Sequence, residues 1–191
     1  MLSKDYIYKA IKIAAEAHDK QYRKCSKLPY ITHLMECGFI LNGITTNNDI
    51  IIAGILHDTI EDTKLDYYYI HNEFNENVAN MVRDVSENKR KELPATETWE
   101  TRKKESIMHY ASMEPKSKLV LLADKLSNLR SIKDDYLKYG DRMWAFFNET
   151  DKRKHAWYYG EIMELLEPFD YLEEYYELKA LYKYIFCRNE D

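Results

Sequence analysis

Ile50-Ile51-Ile52-Ala53-Gly54-Ile55-Leu56-His57-Asp58-Thr59-Ile60-Glu61-Asp62-Thr63 is the stretch on which the reading of this chain turns. Its first seven residues carry no polar side chain, so a helix built from them is apolar nearly all round and belongs at the centre of a fold. Seven residues cannot span a bilayer, which needs about 20. The run ends in His57-Asp58, and burying an imidazole and a carboxylate there is costly unless they are paired or hold a metal. Neutral imidazole and carboxylate oxygens together suit Mn²⁺, Fe²⁺, Zn²⁺ or Mg²⁺. Glu61 and Asp62 stand four residues beyond this pair, one turn further on if the helix continues. Two carboxylates there can orient a water and handle its proton. As acids at a helix C-terminus they oppose the helix dipole, a conflict that a bound cation removes.

One adjacent pair cannot complete a coordination sphere, so further ligands must come from elsewhere. The apolar run Leu119-Val120-Leu121-Leu122-Ala123 ends in Asp124, which therefore faces inward, and Asn128 shares its face at i+4. His33 follows Pro29-Tyr30-Ile31-Thr32 and opens a segment carrying Met35, Phe39 and Ile40. Read singly, a histidine in the context of His33 is more often a satisfied core residue, and the 61–62 acids can be a polar helix end entering a loop.

Helical periodicity extends through most of the 191 residues, with only five glycines and four prolines. Average usage would give roughly 12% of the two together, and sheet-rich chains need more still for their turns. Ser3 is placed to cap a first helix whose apolar positions are Ile7, Ala10, Ile11, Ala14 and Ala17. Residues 19–29 form a polar, basic connection. A second helix starts near Tyr30–Thr32 and ends at Asn42-Gly43, where the glycine suits a C-terminal cap. Further helices are expected at about 66–74, 76–88, 98–112, 116–134, 151–166 and 170–186. Pro94, Pro115 and Pro168 fall between them, where a missing amide proton costs little. These segments predict one all-α, single-domain bundle over residues 1–191, with the motif-bearing core at about 5–165 and a helical extension at about 168–187. Tyr171, Tyr175, Tyr176, Tyr182 and Tyr184 make that extension either a helix packed on the core or a partner surface. Leu172, Leu178, Leu181 and Ile185 at helical spacing favour core packing.

Lys plus Arg is 28 against 33 for Asp plus Glu, a net charge of −5. That balance excludes a general nucleic-acid coat, which needs a basic excess. Positive charge is nevertheless concentrated in Arg23, Lys24 and Lys27 and again in Lys89, Arg90, Lys91, Arg102, Lys103 and Lys104. This is either a solvated helix face or a local rim facing an anion. Cys25, Cys37 and Cys187 form no C-x-x-C pair, so neither a disulfide framework nor a zinc knuckle is indicated. Without a basic stretch followed by an apolar one at its start, the chain is expected to be cytoplasmic, with no membrane partner. Oligomeric state is left open.

His33, His57-Asp58-Thr59-Ile60-Glu61-Asp62-Thr63 and Leu122-Ala123-Asp124-Lys125-Leu126-Ser127-Asn128-Leu129-Arg130 together resemble the HD-domain phosphohydrolases. More narrowly they are similar to the hydrolase domain of the RelA/SpoT family and its small alarmone hydrolases. Arg23-Lys24, Pro29-Tyr30 and the Trp99…Arg102-Lys103 stretch are similar as well. The resemblance implies an all-α bundle around one divalent ion, usually Mn²⁺, held by His33, His57, Asp58 and Asp124. It implies that Glu61 and Asp62 activate the water that attacks the 3′ diphosphate of guanosine tetraphosphate or pentaphosphate, releasing pyrophosphate and GDP or GTP. Arg23 and Lys24 would lie against base and phosphates, Asn128 on the ribose side, and Lys125 against an anion or the carboxylates. An aromatic contact falls between His155 and Tyr159, assigned to Tyr158. The chain departs from the family's pattern in Leu34 after His33, in Cys25 and Leu28, and between Lys91 and Thr98. Two other readings stand beside this one. The first is an HD-type phosphohydrolase of another nucleotide, namely an adenosine alarmone, a deoxynucleotide triphosphate or a nucleoside monophosphate. The second is a non-catalytic nucleotide sensor, against which all ligands and both acids are retained.

Overall fold

The computed structural model describes residues 3–187, with side chains from residue 5. Its helices in chain order are α1 (Ser3–Ala17), α2 (Ile31–Ile44), α3 (Asn48–Leu56), α4 (Thr59–Asp62) and α5 (Tyr67–Glu73). They are followed by α6 (Glu76–Val85), α7 (Ala95–Ala111), α8 (Pro115–Tyr139), α9 (Lys152–Leu165) and α10 (Glu173–Phe186). Short 3-10 segments lie at Gly140–Phe146 and Glu167–Phe169. Extended pairing among the described residues is limited to one isolated bridge, Tyr22 to Pro29, which pinches the connection between α1 and α2. No described helix is long and apolar enough to cross a membrane.

Every residue of α3 from Ile50 to Leu56 is buried, as its composition predicts. α1, α2, α6 and α8 enclose it. Each Ile or Leu so buried contributes roughly 1.5–3 kcal/mol, which makes α3 the least yielding platform in the molecule. Asn47 caps it, its side chain accepting from the Asp49 N–H. α2 and α3 approach closely because each presents a glycine to the other. A Cβ on Gly38 would stand 2.7 Å from Ile55 Cγ1, and one on Gly54 would overlap Leu41. α8 crosses the bundle for 25 residues, from its N-terminal Pro115 to Gly140, whose φ of 58° ends it. Its buried stripe runs from Val120 through Leu129 and brings Asp124 to the same depth as His57. α10 lays Tyr175, Leu178, Leu181 and Ile185 onto α8 and α9, leaving Tyr171 and Tyr176 exposed. Core packing therefore accounts for most of the tyrosine-rich extension.

Four local expectations are corrected. Gly43 is no C-cap: α2 continues through it to Ile44, and the Thr45 N–H closes the helix on the Leu41 carbonyl. His57 and Asp58 do not continue a helix into Glu61 and Asp62. They form a turn, and Asp58 precedes the separate single-turn helix α4, which carries both acids. The helix expected at 76–88 stops at Val85, because Glu87 leaves it to meet Glu61. The α8 helix runs five residues beyond the expected 134. The proposed Ser3 side-chain cap lies outside the described side chains.

Candidate functional site

The centre is assembled from three helices. α2 contributes His33 from its first turn, the end of α3 contributes His57, the turn after it Asp58, and the middle of α8 Asp124. His33 Nε2 lies 3.3 Å from Asp124 Oδ1 and 3.8 Å from Asp58 Oδ2. His57 Nε2 lies 3.1 Å from Asp58 Oδ2 and 3.5 Å from Asp124 Oδ1. The opposite nitrogen of each ring is taken. His57 Nδ1 is 2.8 Å from the Gly54 carbonyl, which can only accept, so Nδ1 carries the proton and Nε2 a lone pair. His33 Nδ1 meets Ser127 Oγ at 2.8 Å. Both Nε2 atoms are buried without a hydrogen-bond partner.

The carboxylates are fixed from outside. Tyr30 donates its hydroxyl to Asp58 Oδ2 at 2.6 Å, and Lys125 donates to Asp124 Oδ2 at 2.7 Å. Asn128 also donates to Asp124, as its i+4 spacing predicts, and accepts from Arg23 at 2.8 Å. Burial opposes ionisation of both acids, yet His57 holds Asp58 well below the usual carboxylate range and Lys125 does the same for Asp124. Burial pushes His33 below the ordinary imidazole value. His57 is also desolvated, but the Asp58 charge wins and carries it upward. Two imidazole Nε2 atoms facing two ionised carboxylates form a donor set for a divalent cation, which on binding would take the place of the proton that the Asp58 charge favours on His57. Cys37 is close as well, its Sγ 3.9 Å from His33 Nδ1, and burial pushes its thiol up to about 12.

Glu61 and Asp62 flank this centre and are held by the segment after α6. Glu61 Oε2 accepts the Glu87 N–H at 2.6 Å, and Lys89 Nζ lies 2.7 Å from Glu61 Oε1 and 3.3 Å from Asp62 Oδ1. Burial and the nearby Asp58 charge together raise Glu61 above its ordinary value. Glu87 is the hub of the flank. Its buried carboxylate takes Arg102, Lys103 (2.7 Å) and Ser106 (3.2 Å) from one face of α7. Burial alone would raise it, but Lys103 and Arg102 hold it below the usual range.

Four of the expected cations converge. Burial holds Lys24 below the usual lysine value, and the positive charges of Lys89, Lys103 and Arg102 add to that lowering. Lys103 and Lys125 stand over the same Tyr158 ring, at 4.9 and 5.5 Å. Tyr158 is 4% exposed and its buried hydroxyl has no partner, so it forms a floor under two lysines. Other members of the 89–104 stretch are spent on structure: Arg90 pairs with Glu105 and Lys104 with Glu100. A cavity of about 370 Å³ opens beside His33 and Ser127, lined also by Arg23, Arg130 and Ser131. Sequence reasoning did not assign roles to Tyr30, Glu36, Glu87 or Ser127. Glu87 carried a usable signal, as a lone acid at the head of a basic stretch.

Residues 10–148 match the HD domain family. A guanosine-3′,5′-bis(diphosphate) 3′-pyrophosphohydrolase MESH1 of Xenopus tropicalis is 40% identical over 130 residues, covering 66% of this chain and 69% of that protein. The solved structure of a metazoan ortholog of SpoT, described as hydrolysing ppGpp and acting in starvation responses, superposes with a TM-score of 0.72. It is 23% identical over 94% of each chain, a likeness of fold. A structure from Listeria monocytogenes EGD-e superposes with a TM-score of 0.71 at 29% identity, covering 82% of this chain and 99% of that one.

Proposed function

Because the chain belongs to the HD domain family and is related to the MESH1- and SpoT-type (p)ppGpp hydrolases, we propose that it is a manganese-dependent guanosine-3′,5′-bis(diphosphate) 3′-pyrophosphohydrolase. His33, His57, Asp58 and Asp124 are the ligands in this reading. A divalent cation bound there supplies Lewis-acid polarisation of a phosphoryl oxygen and lowers the pKa of water. The chain's own groups do the rest. Tyr30 and Lys125 keep Asp58 and Asp124 ionised and in place. Glu61, fixed by Lys89 and the Glu87 N–H, takes the proton of the attacking water, and Asp62 steadies that water from the same turn. The water oxygen bonds to the phosphorus next to the ribose 3′ oxygen, and that P–O bond breaks. Pyrophosphate departs and the 3′ oxygen receives a proton, leaving GDP or GTP. Lys24, Lys103 and Lys125 face the phosphates, with Arg23 and Asn128 on the nucleoside side.

The observation that carries this reading is the meeting of the buried His/Asp centre with several cationic side chains in an otherwise acidic chain, an arrangement suited to a polyanionic substrate. The test is Mn²⁺-dependent hydrolysis of guanosine tetraphosphate by purified protein, with products separated by chromatography. GDP plus pyrophosphate, lost on chelation, is the expected result. Bound metal without turnover of this substrate would overturn the guanosine assignment and leave another nucleotide phosphohydrolase.

A further inference from the structure

We infer that Ser127 and Glu36 are positioning residues for His33, and that Arg130 and Glu177 extend this relay to α10. The inference rests on the ligand role proposed for His33 and not on the identity of the substrate.

The two histidines are oriented by different means. The ring of His57 is set by a backbone carbonyl, which can only accept and which no side-chain substitution removes. His33 Nδ1 instead faces a hydroxyl, which can donate or accept. If the Ser127 proton pointed at Nδ1, the proton of a neutral His33 would sit on Nε2 and no lone pair would face Asp58 and Asp124. Glu36 decides between the two. Ser127 Oγ donates to Glu36 Oε2 at 2.7 Å, so its only proton is committed and the oxygen must accept from His33 Nδ1–H. The Nε2 lone pair is thereby turned toward the two carboxylates.

Glu36 is in turn held by Arg130, whose NH1 lies 3.0 Å from Oε1. Arg130 spends its remaining fork on Glu177, with Nε and NH2 at 2.7 and 2.6 Å from the two carboxylate oxygens. Such bidentate pairs fix direction as well as charge. The relay thus runs from α10 through α8 to α2, its α8–α2 contacts joining residues 91 to 94 positions apart and its α8–α10 contact residues 47 apart. It is graded in depth: Ser127 is 1% exposed, whereas the Arg130 and Glu177 side chains are 36% and 41% exposed. The inner members should therefore matter most.

The test is Mn²⁺ affinity of the full, substrate-free chain, measured by competition with a chromophoric chelator, together with ¹⁵N chemical shifts of the histidine rings in metal-free protein. Changing the outer partner of a metal-bound histidine typically weakens metal binding about 10- to 100-fold. Ser127→Ala and Glu36→Gln are each expected to weaken it about 10-fold, and Ser127→Thr to restore it. Glu177→Gln is expected to produce a smaller loss, about two- to threefold. In parent protein the His33 ring should carry its proton on Nδ1, and in Ser127→Ala the two tautomers should mix. Parent-like affinity and an unchanged His33 tautomer in both Ser127→Ala and Glu36→Gln would overturn the inference, as would a parent chain that binds no divalent ion. Glu36→Gln is in the set because it is partly exposed and keeps its shape should Ser127→Ala fold poorly. Affinity losses as expected in a chain that does not hydrolyse guanosine tetraphosphate would sustain the relay and overturn only the substrate.

Discussion

The two sides of the site are held by opposite kinds of force. The His/Asp side hangs on α2, α3 and α8, whose backbones are placed by apolar packing, and its two imidazoles are 2% and 3% exposed. The facing side, from Glu87 to Ser106, is held by buried charge, with one carboxylate serving Arg102, Lys103 and Ser106 while its own amide steadies Glu61. Apolar packing fixes positions without regard to pH or salt. A buried ion cluster fixes them only while every member stays charged and present. The helices of one side, the invariant one, are therefore placed independently of pH, whereas the segment of the other, the conditional one, is placed only while its charges stand.

The largest break in this contrast is expected from the invariant side. His57→Ala or Asp124→Ala should abolish both bound metal and turnover, measured by metal content and product release. Retained metal in either variant would remove that residue from the ligand set. On the conditional side, Glu87→Ala should act first on the fold. It strands Arg102 and Lys103, and removing one partner of a buried pair costs about 3–5 kcal/mol, readable in urea unfolding.

The same side should lose its placement in acid. Glu87 is held below its unfolded value, so its stabilisation is present above the ordinary carboxylate range. It is lost as pH falls from about 4 through the depressed folded value. Acid unfolding that is no shallower in Glu87→Gln than in parent would count against this account. Glu61→Gln should keep metal and substrate binding and lower kcat by at least about 10²-fold. An unchanged rate would remove Glu61 from the chemistry. The smallest effect is expected at the 19–29 connection, where Arg23→Ala with Lys24→Ala should raise KM more than it lowers kcat. The reverse split would place them in the reaction itself.

What could be read in the sequence follows the same division. His57 and Asp58 stood out because the most apolar run in the chain ends on them, and Asp124 because it interrupts another such run. Local pattern sufficed to find residues whose position is set by burial. Their partners were not legible in this way. Ser127 and Glu36 meet across 91 positions, and Glu87 meets Arg102 across 15, on a segment whose periodicity gave no reason to leave its helix. Gly43 misled because a glycine before a polar loop resembles a cap, while Thr45 performs the closure. The turn at His57-Asp58 was hidden because both residues have helical backbone angles, and only the hydrogen-bond ladder breaks.

The glycine contact between α2 and α3 limits how this sequence can change. His33 and His57 sit on two helices whose separation is set by Gly38 against Ile55 and Gly54 against Leu41. A side chain added at Gly38 meets Ile55 and one added at Gly54 meets Leu41, so the neighbouring side chain or the helix that carries it must give way. Drift at these positions is therefore possible only in pairs, a larger residue on one helix with a smaller one on its neighbour. The spacing of the two imidazoles passes from sequence to sequence as a property of two backbones, and neither histidine encodes it.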